Sequence, residues 1–571
     1  MTGAASPTAI IVGRAPGGGW TAVPVVADEQ GPPIQLTDAA LPRWIAEQEQ
    51  QAHPRWVVRS LRSFYPPLLA AGIRLRRAHD LLLCHAILRD TAALTAPLEP
   101  STAWLRVDPT VDEALAPPAL FEVHQTGAAV ADSLDAVRAE WDRQRAALAT
   151  APDGRLALLC LAESTGALVA EEMTAAGVPW SRRVHEGILQ TELGPRPLRG
   201  ARPARMAELV DEIGAALDDP AVSPDSPPRL LRALHRAGVF VESTSQWELA
   251  EIDHPVVTPL LRYKKLARLF TANGWSWLDE WVHDDRFRPV YLTGGVVTGR
   301  WASSGGGALQ IPRQLRPAVR AADGWMLVGA DVAQLEPRVL AAMSKDTAMA
   351  AAARGADLYE GVVRSGAVAS RDEAKYAVLG AMYGATTGES GRLVPRLRSV
   401  FPRAMALVDD AARVGEDGGV VSTLLGRGSP RPSETWRRTQ ALASDSDAGG
   451  VEQSTARSRA RDRGRFTRNF VVQGTAAEWA LLWLAEIRHR LGALPSASVP
   501  APASGAVFAD RAHLAFFLHD EVIVHAPADQ ADAVAEILRA AADAATTRLF
   551  PGFAIDVPLD LRISTDAGKE P

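Results

Sequence analysis

The stretch "LAFFLHDEVIVHAP", residues 514–527, places a histidine and two adjacent carboxylates between two apolar runs. Apolar runs of this length are typical of buried β-strands, so we predict a β-hairpin with His519, Asp520 and Glu521 at its tip. A further apolar run, "WMLVGAD" (residues 325–331), ends at Asp331 and predicts another strand that is buried on both faces. A lone aspartate after a strand is most often a turn residue or a helix cap, but two such sites favour a shared function.

Carboxylates that lie close together raise one another's pKa unless a cation neutralises them. Mg²⁺ suits such a cluster, because it prefers oxygen ligands and is typically held by one or two carboxylates together with substrate phosphates. Two ions could activate an attacking oxygen and stabilise a leaving oxygen during phosphoryl transfer. We therefore expect Asp331 and Asp520 to converge on two Mg²⁺ ions, for which Mn²⁺ could substitute.

A second candidate element is "RDEAKYAVLGAMYG", residues 371–384, which has the pattern of a helix. Arg371, Lys375, Leu379 and Tyr383 follow one another at four-residue steps and share one helix face. The two cations repel each other by a few tenths of a kcal/mol, and a bound polyanion would reverse the sign of that interaction. The alternative is an amphipathic helix with a basic edge.

Composition limits the class of protein. The chain has 571 residues, enough for three or four domains, with 47% hydrophobic and 22% charged residues, as in globular proteins. Cys84 and Cys160 are its two cysteines, which excludes a disulfide framework and a cysteine-rich zinc site and suits a reducing cytosol. The sequence shows neither a signal peptide nor an apolar run of about 18 residues, so we expect a cytoplasmic protein without membrane association.

The net charge of −6 argues weakly against a nucleic-acid-binding protein, but the charge is uneven. The stretch "ARSRARDRGRFTR" (residues 456–468) carries six arginines and one acid, Asp462. It is either a solvated tract or a surface that contacts phosphates. Residues 432–464 and 494–506 are rich in small residues and proline and lack periodicity, so we expect surface loops there.

These motifs together resemble DNA polymerase I, family A. "DVAQLEPR" (residues 331–338), "RDEAKYAVLGAMYG" and "HDE" (residues 519–521) occur in the order of the three motifs of that family. Three flanking signatures agree as well: "TGRWASS" (298–304), "DLYEGV" (357–362) and "NFVVQGTAAEWA" (469–480). The resemblance covers roughly residues 150–571.

The resemblance implies an α+β right-hand polymerase with an antiparallel palm sheet, a helical thumb and helical fingers. The palm would comprise about residues 149–199, 286–345 and 466–571, the thumb about 200–285 and the fingers about 346–465. Residues 1–148 resemble a shortened, RNase H-like 3′→5′ exonuclease domain. Asp80 is the one acid in a recognisable place and Tyr65 stands near the position of a second, so we expect this domain to be inactive.

The resemblance also assigns roles to single residues. The metal ligands would be Asp331, Asp520 and the Val332 carbonyl, and the catalytic residues Asp331, Asp520, Glu521 and Lys375. Nucleotide contacts would come from Gln334, Glu336, Arg371, Lys375, Leu379, Tyr383 and His519, with Glu336 as the steric gate that excludes a ribose 2′-hydroxyl. DNA contacts would come from Thr298, Arg300, Arg465, Asn469 and Gln473.

Several positions depart from the family pattern. Leu379 replaces an aromatic residue, and Val332 and Ala333 replace tyrosine and serine, which removes an aromatic hydroxyl commonly linked to the gate glutamate. Pro337 replaces an aliphatic residue and Glu478 replaces an aspartate. Both predicted metal-binding aspartates are present, so we expect activity.

The resemblance therefore predicts a DNA-directed DNA polymerase that adds dNTPs to a primer 3′-hydroxyl in the 5′→3′ direction, during gap filling in repair or replication. Its partners would be primer-template DNA and dNTPs, and the protein would be a monomer associated with the nucleoid. Two alternatives remain: an RNA polymerase of the single-subunit type, against which Glu336 argues, and a non-catalytic primer-template binding scaffold.

Overall fold

The computed structural model describes residues 6–105, 132–198, 200–304, 311–355, 357–384, 388–445 and 449–568. The chain forms two compact units. The first comprises Met1–Gly177, Val290–Ser304 and Asp323–Ile563, and the second comprises Val178–Pro289, Gly305–Ala322 and Ser564–Pro571. All of the predicted site residues belong to the first unit.

A mixed sheet forms the N-terminal part of the first unit. Its strands are β1 (Ala9–Arg14), β2 (Trp20–Val26), β3 (Glu29–Gln30), β4 (Ile34–Leu36), β5 (Arg55–Val58) and β6 (Arg77–Asp80). The strand order is β3-β2-β1-β5-β6, with β4 also paired to β2; β1 and β2 are antiparallel, whereas β1, β5 and β6 are parallel. Alternate residues of β1 enter two cores, Ile10 on one side and Ile11 on the other, because both faces of the sheet are covered.

The helices of this region are α1 (Leu41–Gln51), α2 (Leu61–Phe64), α3 (Pro66–Ala70), α4 (Leu81–Asp90) and α5 (Leu134–Ala149). A longer helix, α6 (Arg155–Ala176), follows them and packs against β6. This part of the chain is where the sequence predicts the exonuclease-like domain.

The second unit is mainly helical. It contains β7 (Val178–Pro179), α7 (Arg182–Leu193), α8 (Ala204–Ala216), α9 (Pro227–Arg236), α10 (Gln246–Ala250), α11 (Val257–Asn273), α12 (Trp275–Trp281), β8 (Val282–His283) and β9 (Arg286–Phe287). The predicted thumb, about residues 200–285, lies within this unit. The unit also includes α7, whose Leu189 and Leu193 enter the same apolar core as Leu209 of α8 and Leu260 of α11.

A four-stranded sheet with the order β13-β14-β12-β15 forms the centre of the first unit. Its strands are β12 (Trp325–Val332), β13 (His513–Leu518), β14 (Glu521–Pro527) and β15 (Leu559–Ser564), and a separate antiparallel pair consists of β10 (Val290–Leu292) and β11 (Ala302–Ser304). β13 and β14 form the predicted hairpin, and β14 is antiparallel to β12. Both apolar runs are therefore buried strands, as predicted.

The other helices of the first unit are α13 (Leu335–Ser344), α14 (Thr347–Ala352), α15 (Leu358–Arg364), α16 (Arg371–Tyr383), α17 (Gly388–Val400), α18 (Pro402–Glu416), α19 (Glu434–Ala443), α20 (Gly450–Leu491), α21 (Gly505–Phe508) and α22 (Ala531–Leu549), of which α20 and α22 pack on the sheet. The predicted helix at residues 371–384 is α16. Ser370 caps its first turn and Gly384, with φ of 76°, ends it. Within the ranges given above, no helix is both long and apolar enough to cross a membrane.

The prediction of a loop at residues 432–464 is wrong for most of that segment. It contains α19 and the first part of α20, a helix of 42 residues. Arginine, alanine and glutamine favour helices, but this part of α20 buries few residues, mainly Ala456 and Gly464, so the sequence shows no apolar period.

Candidate active site

Two acidic strand ends meet at one edge of the central sheet. Asp331 of β12 lies opposite Glu521 of β14, and the Val332 amide donates a hydrogen bond of 2.9 Å to the carbonyl oxygen of Asp520. His519 and Asp520 form the two-residue hairpin turn, in which His519 has a φ of 54°. Burial, and then the negative charge of Asp331, raise the pKa of Asp520 to about 6. The fold thus brings the two aspartates into electrostatic contact.

The donor set at this edge fits a divalent cation. Like charges held together in a partly buried site are stabilised by a bound cation, and the Val332 carbonyl follows Asp331 directly in the chain. In the part of the chain that the structure describes, no group of three or more His, Cys, Asp or Glu side chains could hold a metal ion. Two carboxylates are what Mg²⁺ typically takes from a protein when substrate phosphates complete its shell.

Glu336 is the centre of a polar network beside these acids. Its carboxylate accepts a hydrogen bond of 2.6 Å from the Tyr383 hydroxyl and pairs with the Arg300 guanidinium. Gln334 adopts a left-handed conformation (φ 49°, ψ 52°), which turns the chain from β12 into α13 and places Glu336 in the first turn of the helix. Burial and the bond to Glu336 raise the pKa of Tyr383, so its hydroxyl remains a donor. An aromatic hydroxyl therefore reaches the predicted gate although Val332 carries none.

A cavity of about 260 Å³ connects these elements. Seven residues predicted from the sequence line it: Arg300, Gln334, Glu336, Leu379, Tyr383, His519 and Asp520. Burial and the charge of Arg300 lower the pKa of His519, which favours its neutral form at pH 7. Tyr359, Trp301 and Phe517 also line the cavity and add aromatic surface that the motifs did not reveal.

The predicted phosphate-binding cations lie outside the cavity lining. Lys375 is exposed on α16 and has no ion-pair partner among the described residues. Arg371 Nε donates a hydrogen bond of 2.7 Å to Asp357. Burial raises the pKa of the Asp357 carboxyl, but the bond and charge of Arg371 together with the amides of Glu360 and Tyr359 outweigh burial and lower that pKa.

Two residues without a predicted role position Gln334. Asp357 accepts a hydrogen bond of 3.3 Å from its amide group, and Arg338 donates one of 3.3 Å to its carbonyl oxygen. Arg338 is fully buried and also donates to main-chain carbonyls, including those of Ala333 at 2.8 Å and Asp556 at 2.8 Å. The sequence does contain a signal for the role of Arg338, the last residue of the first motif, because a charged residue on an apolar helix face requires hydrogen-bond partners.

The predicted DNA-binding residues are distributed along α20 and the loop before β11. Thr298 donates a hydrogen bond of 2.9 Å to Gln473, and Asn469 Oδ1 is buried and lacks a hydrogen-bond partner among the described residues. Arg465 pairs with Asp462 and packs on Gly384, where a Cβ atom would lie 2.8 Å from Arg465 Cγ. Of the predicted DNA contacts, Arg300 lines the cavity and the other four do not, but α20 itself does, through Ala476, Ala477 and Ala480.

Comparison with known proteins gives consistent results. Residues 205–569 match the profile of DNA polymerase family A. The chain is 28% identical over 337 residues to DNA polymerase I of Chloroflexus aurantiacus, an alignment that covers 54% of this chain and 32% of the relative. It is 26% identical over 354 residues to the thermostable DNA polymerase I of Thermus filiformis, covering 56% and 37%. The aligned region is thus about a third of the length of these curated relatives.

The fold also has a solved counterpart. It is the POL domain of Pol1 from M. smegmatis, whose structure is a complex with DNA primer-template and dNTP. The likeness has a TM-score of 0.66 at 18% identity and covers 99% of this chain and 96% of that one. The predicted α+β class and right-hand polymerase fold are confirmed, and polymerases of this family generally depend on divalent metal ions. Since the family profile matches more than half of its residues, the chain belongs to DNA polymerase family A.

Proposed function

We propose that this chain is a DNA-directed DNA polymerase that extends a primer 3′-hydroxyl with dNTPs in the 5′→3′ direction. The observation that carries the proposal is the electrostatic contact between Asp331 and Asp520 at a cavity that Asp520, Glu336 and Tyr383 line. The names of the relatives and the complex formed by the M. smegmatis POL domain support it. Both alternatives, an RNA polymerase and a non-catalytic scaffold, are not favoured by these similarities.

Asp331, Asp520 and the Val332 carbonyl would hold two Mg²⁺ ions. When bound, such ions supply Lewis-acid activation of the attacking oxygen and stabilise charge on the leaving oxygen. The sheet positions these side chains: seven residue pairs join β12 and β14, so Asp331 lies on a rigid strand and Asp520 lies in the turn directly before its partner strand. Glu521, buried opposite Asp331, would maintain the negative potential of this edge.

The face of α16 would bind the triphosphate of the incoming nucleotide. Lys375 is exposed and supplies a point charge, while Arg371 would exchange Asp357 for phosphate oxygens. Gln334 and His519, which line the cavity, would also contact the incoming nucleotide. Leu379 offers apolar surface where the family has an aromatic ring.

Glu336 would act as the steric gate against a ribose 2′-hydroxyl. Its carboxylate is held from two sides, by Arg300 and Tyr383, so it cannot readily move away from a bulkier sugar. Thr298, Arg300, Arg465, Asn469 and Gln473 would contact primer and template, mostly through backbone and minor-groove interactions. The palm, thumb and fingers would have the boundaries predicted from the sequence, and the protein would act as a monomer at the nucleoid.

The N-terminal domain, residues 1–148, would not proofread. Both carboxyl oxygens of Asp80 accept main-chain hydrogen bonds, at 2.7 Å from Leu61 and 3.0 Å from Leu83, so this side chain works as a helix cap. Tyr65 donates a hydrogen bond of 2.8 Å to Glu172 and is fully buried. These contacts support a structural role for both positions.

A primer-extension assay on the full chain tests the proposal. We expect extension of a recessed primer with Mg²⁺ and all four dNTPs, and none by Asp520→Ala, which keeps the remaining DNA contacts. Binding of primer-template without extension, in Mg²⁺ and in Mn²⁺, would instead support the scaffold. Extension with ribonucleotides as efficient as that with dNTPs would support the RNA polymerase.

A further inference from the structure

Apart from Arg465, the arginines of the segment that precedes Asn469 have no role in the proposed reaction. Residues 433–445 and 449–468 contain eight arginines and four acidic residues, within a chain whose net charge is −6. Instead of forming a loop, they fold into α19 and the first part of α20. Their cations therefore have fixed positions on a surface.

Three of these arginines form what we call the arginine ridge: Arg457, Arg461 and Arg465. They follow one another at four-residue steps on α20, so their side chains are about 6 Å apart along the helix and drift by about 40° per step. Arg457 and Arg461 are exposed and have no ion-pair or hydrogen-bond partner among the described residues. Arg465 is half-exposed and pairs with Asp462.

The ridge is not covered by α19. α19 contacts a different side of α20. There Trp436 Nε1 donates a hydrogen bond of 3.2 Å to the Arg459 carbonyl, and Gln440 Nε2 donates one of 2.9 Å to the Ala456 carbonyl. The Arg463 guanidinium, 5.9 Å from the ring centroid of Trp436, adds to this contact. On the helical wheel, residues 456, 459 and 463 lie roughly 100–180° from residues 457, 461 and 465. The docking of α19 thus leaves the ridge free.

One end of the ridge meets the candidate active site. Arg465 packs on Gly384, the residue after Tyr383, and Arg468 Nη1 donates 2.6 Å to the Ala381 carbonyl at the end of α16. In the other direction along α20, Asn469 and Gln473 precede the residues that line the cavity. The ridge therefore starts at Tyr383 and runs away from the catalytic acids for about 12 Å.

We propose that the arginine ridge binds the phosphates of the template strand ahead of the templating base. This inference rests on the proposed polymerase function, in which Tyr383 contacts the incoming nucleotide and so lies close to the template base that pairs with it. A nucleic-acid strand has one phosphate per about 3.4 Å of helix axis, so the ridge spans about four nucleotides. A polyanion would also relieve the mutual repulsion of cations at four-residue spacing. The single-stranded 5′ overhang of a primer-template is the part of the substrate that reaches this side.

The test compares two primer-templates with the same duplex and template overhangs of 2 and 10 nucleotides, bound to the full chain and followed by fluorescence anisotropy. The variant is Arg457→Gln/Arg461→Gln. The control is Arg43→Gln/Arg539→Gln, which removes equal charge from exposed positions on α1 and α22. Thermal unfolding verifies that each variant is folded.

We expect the wild type and the control to bind the long overhang more tightly than the short one, and the variant to lose that difference. Each phosphate contact with a single strand contributes about 0.7 to the slope of log affinity against log salt concentration, so the loss of two contacts should reduce that slope by about 1.4. With the long overhang, the fall in affinity between 50 and 200 mM salt should therefore be about sevenfold smaller in the variant. Extension on the short overhang should match the wild type.

An unchanged variant overturns the proposal. Equal losses on both substrates also overturn it, since the ridge would then hold the duplex. The proposed function fails separately: if the wild type extends no primer but binds in an overhang-dependent, ridge-dependent manner, the polymerase assignment falls and the ridge assignment stands.

Discussion

The Tyr383 hydroxyl donates a hydrogen bond of 2.6 Å to Glu336, across 47 residues of sequence, and thereby fastens the end of α16 to the first turn of α13. Arg300 pairs with the other carboxylate oxygen. A glutamate held in this way has a defined position at the cavity wall. Selection of the sugar would then depend on two supporting side chains as well as on Glu336.

Tyr383→Phe should weaken discrimination against ribonucleotides. The variant keeps the ring but frees one carboxylate oxygen of Glu336, and a hydrogen bond worth about 1 kcal/mol corresponds to a loss of about fivefold in selectivity. The measurement is the ratio of kcat/KM for a dNTP and the matching rNTP. Tyr376→Phe, at an exposed tyrosine on the same helix, is the control. Glu336→Ala should have a larger effect, and its failure to admit ribonucleotides would remove the gate assignment.

Asp520→Asn should abolish extension while stabilising the protein in EDTA. Loss of a metal ligand should reduce kcat by more than the 10–100-fold that is typical of residues behind the ligands. Stability should rise because the amide removes a buried carboxylate that burial and Asp331 disfavour, by about 1–3 kcal/mol. A variant that is inactive and also less stable than the wild type would contradict this account.

The pH dependence of that gain follows from the sign of the pKa shift. The pKa of Asp520 is about 6 in the folded protein, above its ordinary value of 3.8, so the folded state binds the proton more tightly. The wild type therefore loses stability as pH rises from about 4 to 6. The difference in Tm between Asp520→Asn and wild type, measured without metal, should be large at pH 8 and small near pH 4.

Local sequence patterns predicted the elements of this site better than its contacts. The apolar runs before Asp331 and around His519 predicted β12 and the hairpin, because a strand that is buried on both faces consists almost entirely of apolar residues. The four-residue spacing of Arg371 and Lys375 predicted that both lie on one face of α16. The partners of Glu336 and Gln334 were not predicted, because those contacts join residues that are distant in sequence and depend on how the chain turns at Gln334.

In the segment around Arg457, the sequence pattern failed to predict the secondary structure itself: a loop was predicted and the segment is helical. Its composition favours a helix, but a helix that is solvated on most sides does not show apolar residues at helical spacing. The loop was predicted because that periodicity is missing. What stabilises it are tertiary contacts from Trp436 and Gln440 to main-chain carbonyls, which carry no pattern in sequence.

Arg488→Met should destabilise the first unit strongly. Arg488 pairs with Glu172 at 2.6 Å, donates 3.0 Å to the Arg76 carbonyl, and is buried with its partner. Removing it leaves the Glu172 carboxylate with only Arg74 and the Tyr65 hydroxyl as partners among the described residues, at a desolvated site, which costs about 3–5 kcal/mol. Chemical unfolding measures the loss. Arg490→Met, at a half-exposed arginine of the same helix, is the control and should change stability little.

The same pair predicts acid sensitivity. Burial opposes ionisation of Glu172, but Arg488 and Arg74 outweigh it and lower its pKa to about 2. A carboxyl whose pKa is depressed in the folded state stabilises the fold above its ordinary pKa of 4.5, and that stability is lost as pH falls from about 4.5 to 2. The wild type should lose stability steeply in this window, and Arg488→Met should lose less.

Asp80→Ala should lower stability without changing any nuclease activity. The side chain accepts hydrogen bonds from the Leu61 and Leu83 amides and caps α4, so its loss should cost about 0.5–2 kcal/mol, as for other helix caps. Asp80→Asn keeps one carbonyl oxygen for these amides and should cost less. Incubation of the wild type with a primer that ends in a mismatch, in Mg²⁺ or Mn²⁺ and without dNTPs, should give no trimming. If trimming occurs and Asp80→Asn removes it at nearly wild-type Tm, the carboxylate binds metal and the N-terminal domain proofreads.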